Sequence, residues 1–208
     1  MTLLAPAYWT DACDHLMRHD RVMNKLIPQF PNVSLQSRGD PFTTLARSVI
    51  GQQISVKAAQ AVWDRFAALM PQMEPAQLLR LKVDDMRAAG LSARKVEYLV
   101  DLALHFDNGT LRPEAWQAMD DEAIVKQLVA IRGIGRWTAE MFLIFYLMRP
   151  NVLPLDDVGL IKGISDQYFS GEPVSRAEAR ELGEAWAPYR SVATWYIWRS
   201  LDPLPVEY

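Results

Sequence analysis

The chain has 208 residues, half of them hydrophobic and 23% charged, with a formal net charge of −3. That balance excludes a disordered chain and wholesale coating of nucleic acid, and it leaves room for one large domain or two small helical ones. The single cysteine, Cys13, excludes an internal disulfide and an all-cysteine metal or iron–sulfur site within one chain. No apolar run approaches the ~18 residues of a bilayer span. The start lacks a basic segment and soon meets Asp11 and Asp14, unlike a secretory signal. The expectation is a reduced, cytoplasmic protein with no membrane partner.

Helical periodicity dominates. Asp40 is placed to cap a helix with Pro41 at its first position, and Phe42, Leu45, Ala46, Val49 and Ile50 form one apolar stripe. Gly51 interrupts it. Ser55 caps a second stripe of Val56, Ala59, Trp63, Phe66, Ala67 and Met70; Pro71 and Pro75 mark a connection. Ser92 opens a helix with Val96, Leu99, Val100, Ala103 and Leu104 inside, and Asp120 one with Ile124, Leu128 and Ile131. Ser175 and Glu178 form a capping box before Leu182, Ala185 and Trp186. No period-2 run bounded by turn residues predicts a strand. The predicted fold is all-α, about ten helices in two lobes around a central cleft. Breaks near residues 31–39 and 149–154 predict a central lobe over 41–148 and a second lobe from 1–40 plus 149–208. The groove between lobes is the natural place for a site.

Charge is uneven. Residues 126–149 carry Lys126, Arg132, Arg136 and Arg149 against one acid, Glu140. This is either a face for a polyanion or ordinary surface scatter, and charge alone favours scatter. The same region holds the most informative stretch, residues 128–163. A helix is predicted to end at Ile131. The tight loop Arg132-Gly133-Ile134-Gly135 follows, and a second helix starts at Arg136 or Trp137 and runs to about Leu147. Two glycines let the backbone turn sharply and approach something large. Ile134 is placed to plug between the helices. N–H groups at the second helix's start form an anion site suited to a phosphate. A plain helix–helix turn uses the same residues, and the loop alone does not separate the two readings. Further on, Asp156 and Asp157 precede another helix. An aspartate there is most often a cap, but two in a row allow one to cap while the other faces a cleft to stabilise a cation or orient a water.

At this point the residues resemble a family. RSVIGQQIS (47–55), LSARKVEYL (91–99), LVAIRGIGRWTAEM (128–141), LPLDDVGLIKG (153–163) and PYRSVATWYIWR (188–199) occur in the order found in helix-hairpin-helix DNA glycosylases. The match is to the AlkA-like branch, DNA-3-methyladenine glycosylase II, in a compact form without that branch's N-terminal β domain. The resemblance implies an enzyme that flips an alkylated base, 3-methyladenine first, out of double-stranded DNA and hydrolyses its N-glycosidic bond. An abasic site remains for base excision repair. The alternative is a non-catalytic hairpin module that binds DNA.

The resemblance also implies roles. Asp157 aligns with the catalytic aspartate, leaving Asp156 as a cap or support. Gly133 and Gly135, with Ile134, Arg136 and Thr138 around them, are expected to contact DNA phosphate. The carbonyls of Leu128, Ile131 and Gly133 are expected to hold a monovalent cation, Na or K; no other cofactor is implied. Trp137 stands where bifunctional relatives such as endonuclease III carry a nucleophilic lysine, so strand cleavage is not expected. Trp137 and Trp198 match pocket tryptophans, whose faces attract a cationic base by about 0.5–2 kcal/mol. Met141 and Val158 replace the family's further pocket tyrosines. In the loop Gly51-Gln52-Gln53-Ile54-Ser55, Gln52 is expected at the DNA and Gln53 takes the wedge position, where the branch has leucine. His15, His19 and His105 lie outside the matching motifs, so no dedicated general acid is expected. A single chain per lesion suffices, so a monomer is expected.

Overall fold

The computed structural model describes residues 5–37 and 39–202. Among them are twelve α-helices, two short 3-10 turns and no strand, so the all-α reading holds. The helices are α1 (Trp9–His19), α2 (Arg21–Leu26), α3 (Pro41–Gly51), α4 (Val56–Ala67), α5 (Pro75–Leu78), α6 (Val83–Ala88), α7 (Ala93–Asp107), α8 (Asp121–Val129), α9 (Arg136–Phe145), α10 (Val158–Tyr168), α11 (Arg176–Glu184) and α12 (Arg190–Leu201). Twelve exceed the expected ten partly because α5 and α6 have four and six residues, too few turns for a periodic stripe. α12 shows no one-sided stripe either. Ser191 to Ile197 are all buried, and a helix covered on every side loses its amphipathic signature.

The predicted caps form. Side chains of Asp40, Ser55, Ser92 and Asp120 accept the N–H groups of Thr43, Ala58, Lys95 and Ala123. Ser175 and Glu178 bond reciprocally as a capping box. Each cap contributes about 1 kcal/mol and fixes where its helix begins.

The described residues divide into two compact units, 39–142 and 5–37 with 143–202. In the first, Phe42, Leu45, Ala46, Val49 and Ile50 are buried as their spacing predicts. An edge-to-face chain runs from Phe42 through Phe106 and Trp116 to Phe142. Two stripe residues fall outside. Leu104 is 46% exposed while Leu102 is fully buried, because the buried face of α7 rotates by its last turn. Val56 is exposed at the first position of α4.

In the second unit α10 lies against α12. A Cβ on Gly163 would stand 2.3 Å from Ile197 Cγ2, so only glycine admits this approach. Asp20 organises a buried polar network here. Its Oδ1 caps α2 by accepting the Val22 and Met23 N–H groups, and its Oδ2 accepts from Tyr168 Oη at 2.7 Å and Trp186 Nε1 at 3.1 Å. Burial and the Asp20 carboxylate together push the Tyr168 phenol above its ordinary value, so it stays a donor. Asp20→Ala removes the cap and the acceptor of the Tyr168 hydroxyl, and leaves the Trp186 indole only its longer bond to Tyr168 Oη at 3.3 Å, a loss of about 3 kcal/mol. Calorimetry is expected to show a fall in Tm of about 10 °C; a fall within 2 °C would contradict the network's role.

Candidate active site

The hairpin of residues 130–135 joins α8 to α9. Gly133 adopts φ +83°, and a Cβ there would stand 2.1 Å from the Tyr98 ring. Both the left-handed conformation and the close ring demand glycine. Gly135 differs, since nothing lies within 4 Å of a Cβ built on it. Its carbonyl accepts the Ala139 N–H, which places it at the cap of α9. A glycine cap offers no side-chain acceptor to the first-turn N–H groups, and the positive end of the helix dipole stands behind them.

Ile134, expected as a plug, is buried at 4% exposure. Thr138 is only 5% exposed, so it offers an approaching phosphate no side chain; its place one turn inside α9 turns it to the core. Arg136 is also committed. Its Nε donates to Glu140 at 3.0 Å and its Nη atoms to Glu122 on α8. These carboxylates raise its pKa further above the arginine range. Arg136 therefore brackets α9 to α8 rather than standing as a bare cation. Arg132 likewise faces Glu97 at 3.1 Å, and its N–H donates to Asp101 at 2.8 Å. The basic window is thus interleaved in space with acids from neighbouring helices, which a linear count does not register.

The turn between α3 and α4 carries Gln52 and Gln53. The Gln52 amide donates to Gly133 O at 2.9 Å, tying this turn to the hairpin. Gln53 is exposed at φ +58°. A non-glycine residue in that region costs roughly 1 kcal/mol, and such strain gathers at functional tips. Ile54 beside it is 40% exposed.

The carbonyls expected to hold a cation fit one only in part. Ile131 O accepts the Ile134 N–H and Gly133 O the Gln52 amide, which leaves each a second acceptor position. Leu128 O already accepts from Ala130 and Ile131.

In the other unit, Asp157 precedes α10 and is 7% exposed. Its Oδ1 accepts the Leu160 N–H at 2.6 Å and the Trp198 Nε1–H at 2.8 Å. This corrects the division of labour expected for the pair: the cap is Asp157, because Val158 is the first helical residue, and Asp156 is an exposed partner of Arg176 at 2.9 Å. Capping and presenting a carboxylate belong to one residue. The positive end of α10 favours an anion there.

Trp198 acts through its N–H, orienting the carboxylate, and one face of its indole stacks on Phe145 at 5.7 Å. Gly159 makes the arrangement fit. A Cβ there would stand 3.1 Å from Asp157 Oδ1 and 3.4 Å from the indole. Val158, expected as a pocket wall, is 82% exposed because it opens α10 on its outer side. Trp137, partly exposed, and Met141, buried, follow on α9. Sequence reasoning missed the roles of Lys95, Tyr98 and Asp101 on α7 and of Gly159. Lys95, Tyr98 and Gly159 lie inside matched segments and Asp101 two residues beyond one, but a motif does not state which neighbour each residue touches.

A glycine hairpin that opens a helix and a capping carboxylate held by an indole are the features of a hairpin-type base-excision fold. Residues 46–188 match the model of the HhH-GPD superfamily base excision DNA repair protein. The chain belongs to this family. It is 33% identical over 181 residues to DNA-3-methyladenine glycosylase 1 of Schizosaccharomyces pombe, covering 85% of this chain and 79% of that one. It is 31% identical to DNA-3-methyladenine glycosylase 2 of Escherichia coli, covering 81% and 60%. Among solved structures, a DNA-3-methyladenine glycosidase from Bacillus halodurans superposes with a TM-score of 0.87 at 33% identity, covering 97% of this chain and 93% of that one. The 3-methyladenine DNA glycosylase of S. pombe, solved in complex with abasic DNA, gives 0.79 at 30% identity, covering 94% and 100%. No helix among the described residues is long and apolar enough to cross a membrane.

Proposed function

We infer that the protein is a DNA-3-methyladenine glycosylase of base excision repair, and that it acts without strand cleavage. The observation that carries this is Asp157, a buried carboxylate fixed by its own helix and by Trp198, in a chain of the base-excision family. As the bond from C1′ to the base breaks, its electron pair leaves with the base and positive charge develops on the sugar. A preorganised carboxylate stabilises that charge. Water then adds at C1′ and passes its proton to the Asp157 carboxylate, leaving an abasic site. A methylated purine already carries positive charge, so it departs without protonation by a general acid.

Duplex DNA is held through its phosphate at Gly133 and Gly135, a mode that positions the strand without reading bases. Gln53 fills the gap left by the flipped base, hydrogen-bonding to the orphaned partner. Trp137, the partly exposed indole on α9, accepts the base. A Na or K ion at the Ile131 and Gly133 carbonyls would screen the phosphate; no chemical step depends on it. The enzyme acts as a monomer where its DNA lies, in the cytoplasm of a nucleoid-containing cell.

The test is incubation with methylated duplex DNA and identification of the released bases. 3-Methyladenine is expected, with no strand nicked and no adduct trapped by borohydride, since Trp137 supplies no amine. Duplex binding that weakens with salt, unaccompanied by base release, would replace this reading with a DNA-binding module.

A further inference from the structure

Helix α7 is attached to both of the loops assigned to DNA. At its first turn, Lys95 Nζ donates to Ile50 O at 2.7 Å. That carbonyl belongs to the last turn of α3, where the helix leaves its acceptors over. Gly51 and Gln52 follow, and then Gln53 in its left-handed conformation. One turn further along α7, the Tyr98 ring fills the space where a side chain on Gly133 would sit. Another turn on, Asp101 accepts the Arg132 N–H at 2.8 Å. The circuit closes outside α7, where the Gln52 amide meets Gly133 O.

Three residues on successive turns of one 15-residue helix therefore hold two loops that are far apart in sequence. The hairpin end is clamped by a ring and a carboxylate. The other end is tethered to α7 by the Lys95 side chain.

We propose that Lys95 is a positioning residue for base flipping: by holding the Ile50 carbonyl it sets where Gln53 enters the duplex relative to the phosphate gripped at the hairpin. This rests on the glycosylase reading. Lys95 touches neither substrate nor reacting atoms. It acts through the start of the α3–α4 turn, so its loss misplaces the wedge and leaves the phosphate grip intact. A misplacement of about 1 Å at such a point lowers a rate by roughly a hundredfold.

The test compares wild type with Lys95→Met, which keeps the stem without the ammonium, and Lys95→Arg, which keeps a cation of similar reach. One probe is a duplex with a stable abasic-site analogue next to 2-aminopurine, whose fluorescence reports wedge insertion with no chemistry. The other is single-turnover base release from methylated duplex. Lys95→Met is expected to keep duplex affinity within about threefold, to lose the fluorescence change, and to release base about ten- to a hundredfold more slowly. Lys95→Arg is expected to recover most of both signals. A Lys95→Met protein with wild-type fluorescence and rate overturns the proposal. So do equal losses in both variants at unchanged melting temperature, and so does a Met variant whose duplex affinity falls in step with its rate. If Lys95→Met does not fold, Lys95→Arg alone decides: wild-type fluorescence supports the tether, and lost fluorescence in the folded protein overturns it. Wild-type protein that inserts its wedge but releases no base refutes the glycosylase reading instead, a result separable from any of these.

Discussion

Asp157→Asn is expected to lower single-turnover base release by at least about 10²–10³-fold while duplex binding and melting temperature stay near wild type. Asparagine is as good a helix cap as aspartate. Its amide oxygen accepts the Leu160 and Trp198 N–H groups that Asp157 Oδ1 now holds at 2.6 and 2.8 Å. The substitution therefore removes charge and little else. Asp157→Ala is expected to be equally inactive but also less stable, by about 1 kcal/mol for the cap and about 1–3 kcal/mol for the buried indole donor. The pair separates chemistry from folding. Base release by the Asn protein within a few-fold of wild type would remove Asp157 from the mechanism.

The two hairpin glycines are expected to respond differently to alanine. At Gly133 the new Cβ meets the Tyr98 ring at 2.1 Å on a backbone with φ +83°. Left-handed strain of about 1–2 kcal/mol adds to overpacking of about 1–3 kcal/mol, so melting temperature and duplex affinity fall together. At Gly135 nothing stands within 4 Å of a Cβ. Folding then changes by no more than about 1 kcal/mol, the difference between alanine and glycine at a cap. Duplex affinity is nonetheless expected to drop about tenfold or more, because the methyl group occupies the space through which a phosphate reaches the α9 N–H groups. Parallel melts and binding curves decide. Gly135→Ala with wild-type affinity would place the phosphate elsewhere.

Much of the architecture was legible because its signals are local. An apolar stripe, a Ser or Asp cap and the Gly-Ile-Gly turn are each decided within a few residues, and α3, α4, α7, α8 and α11 start where those signals put them. What was hidden depends on partners distant in sequence. Arg136 reads as a free cation until Glu122 and Glu140 are seen beside it. Trp198 reads as an aromatic wall, yet its N–H holds a carboxylate 41 positions away. The roles of Asp156 and Asp157 turned on a single residue of register, the exact first position of α10, which composition does not supply. Lys95, inside a matched segment, shows its purpose only through a main-chain oxygen contributed by another helix.

Because Asp157 is also the N-cap of α10, the carboxylate we propose to act at the sugar is in place once that helix has formed, before any DNA arrives. Unwinding of the helix's first turn would release it. Heating should therefore disarm the enzyme when that turn frays, some degrees below the temperature at which the whole chain melts.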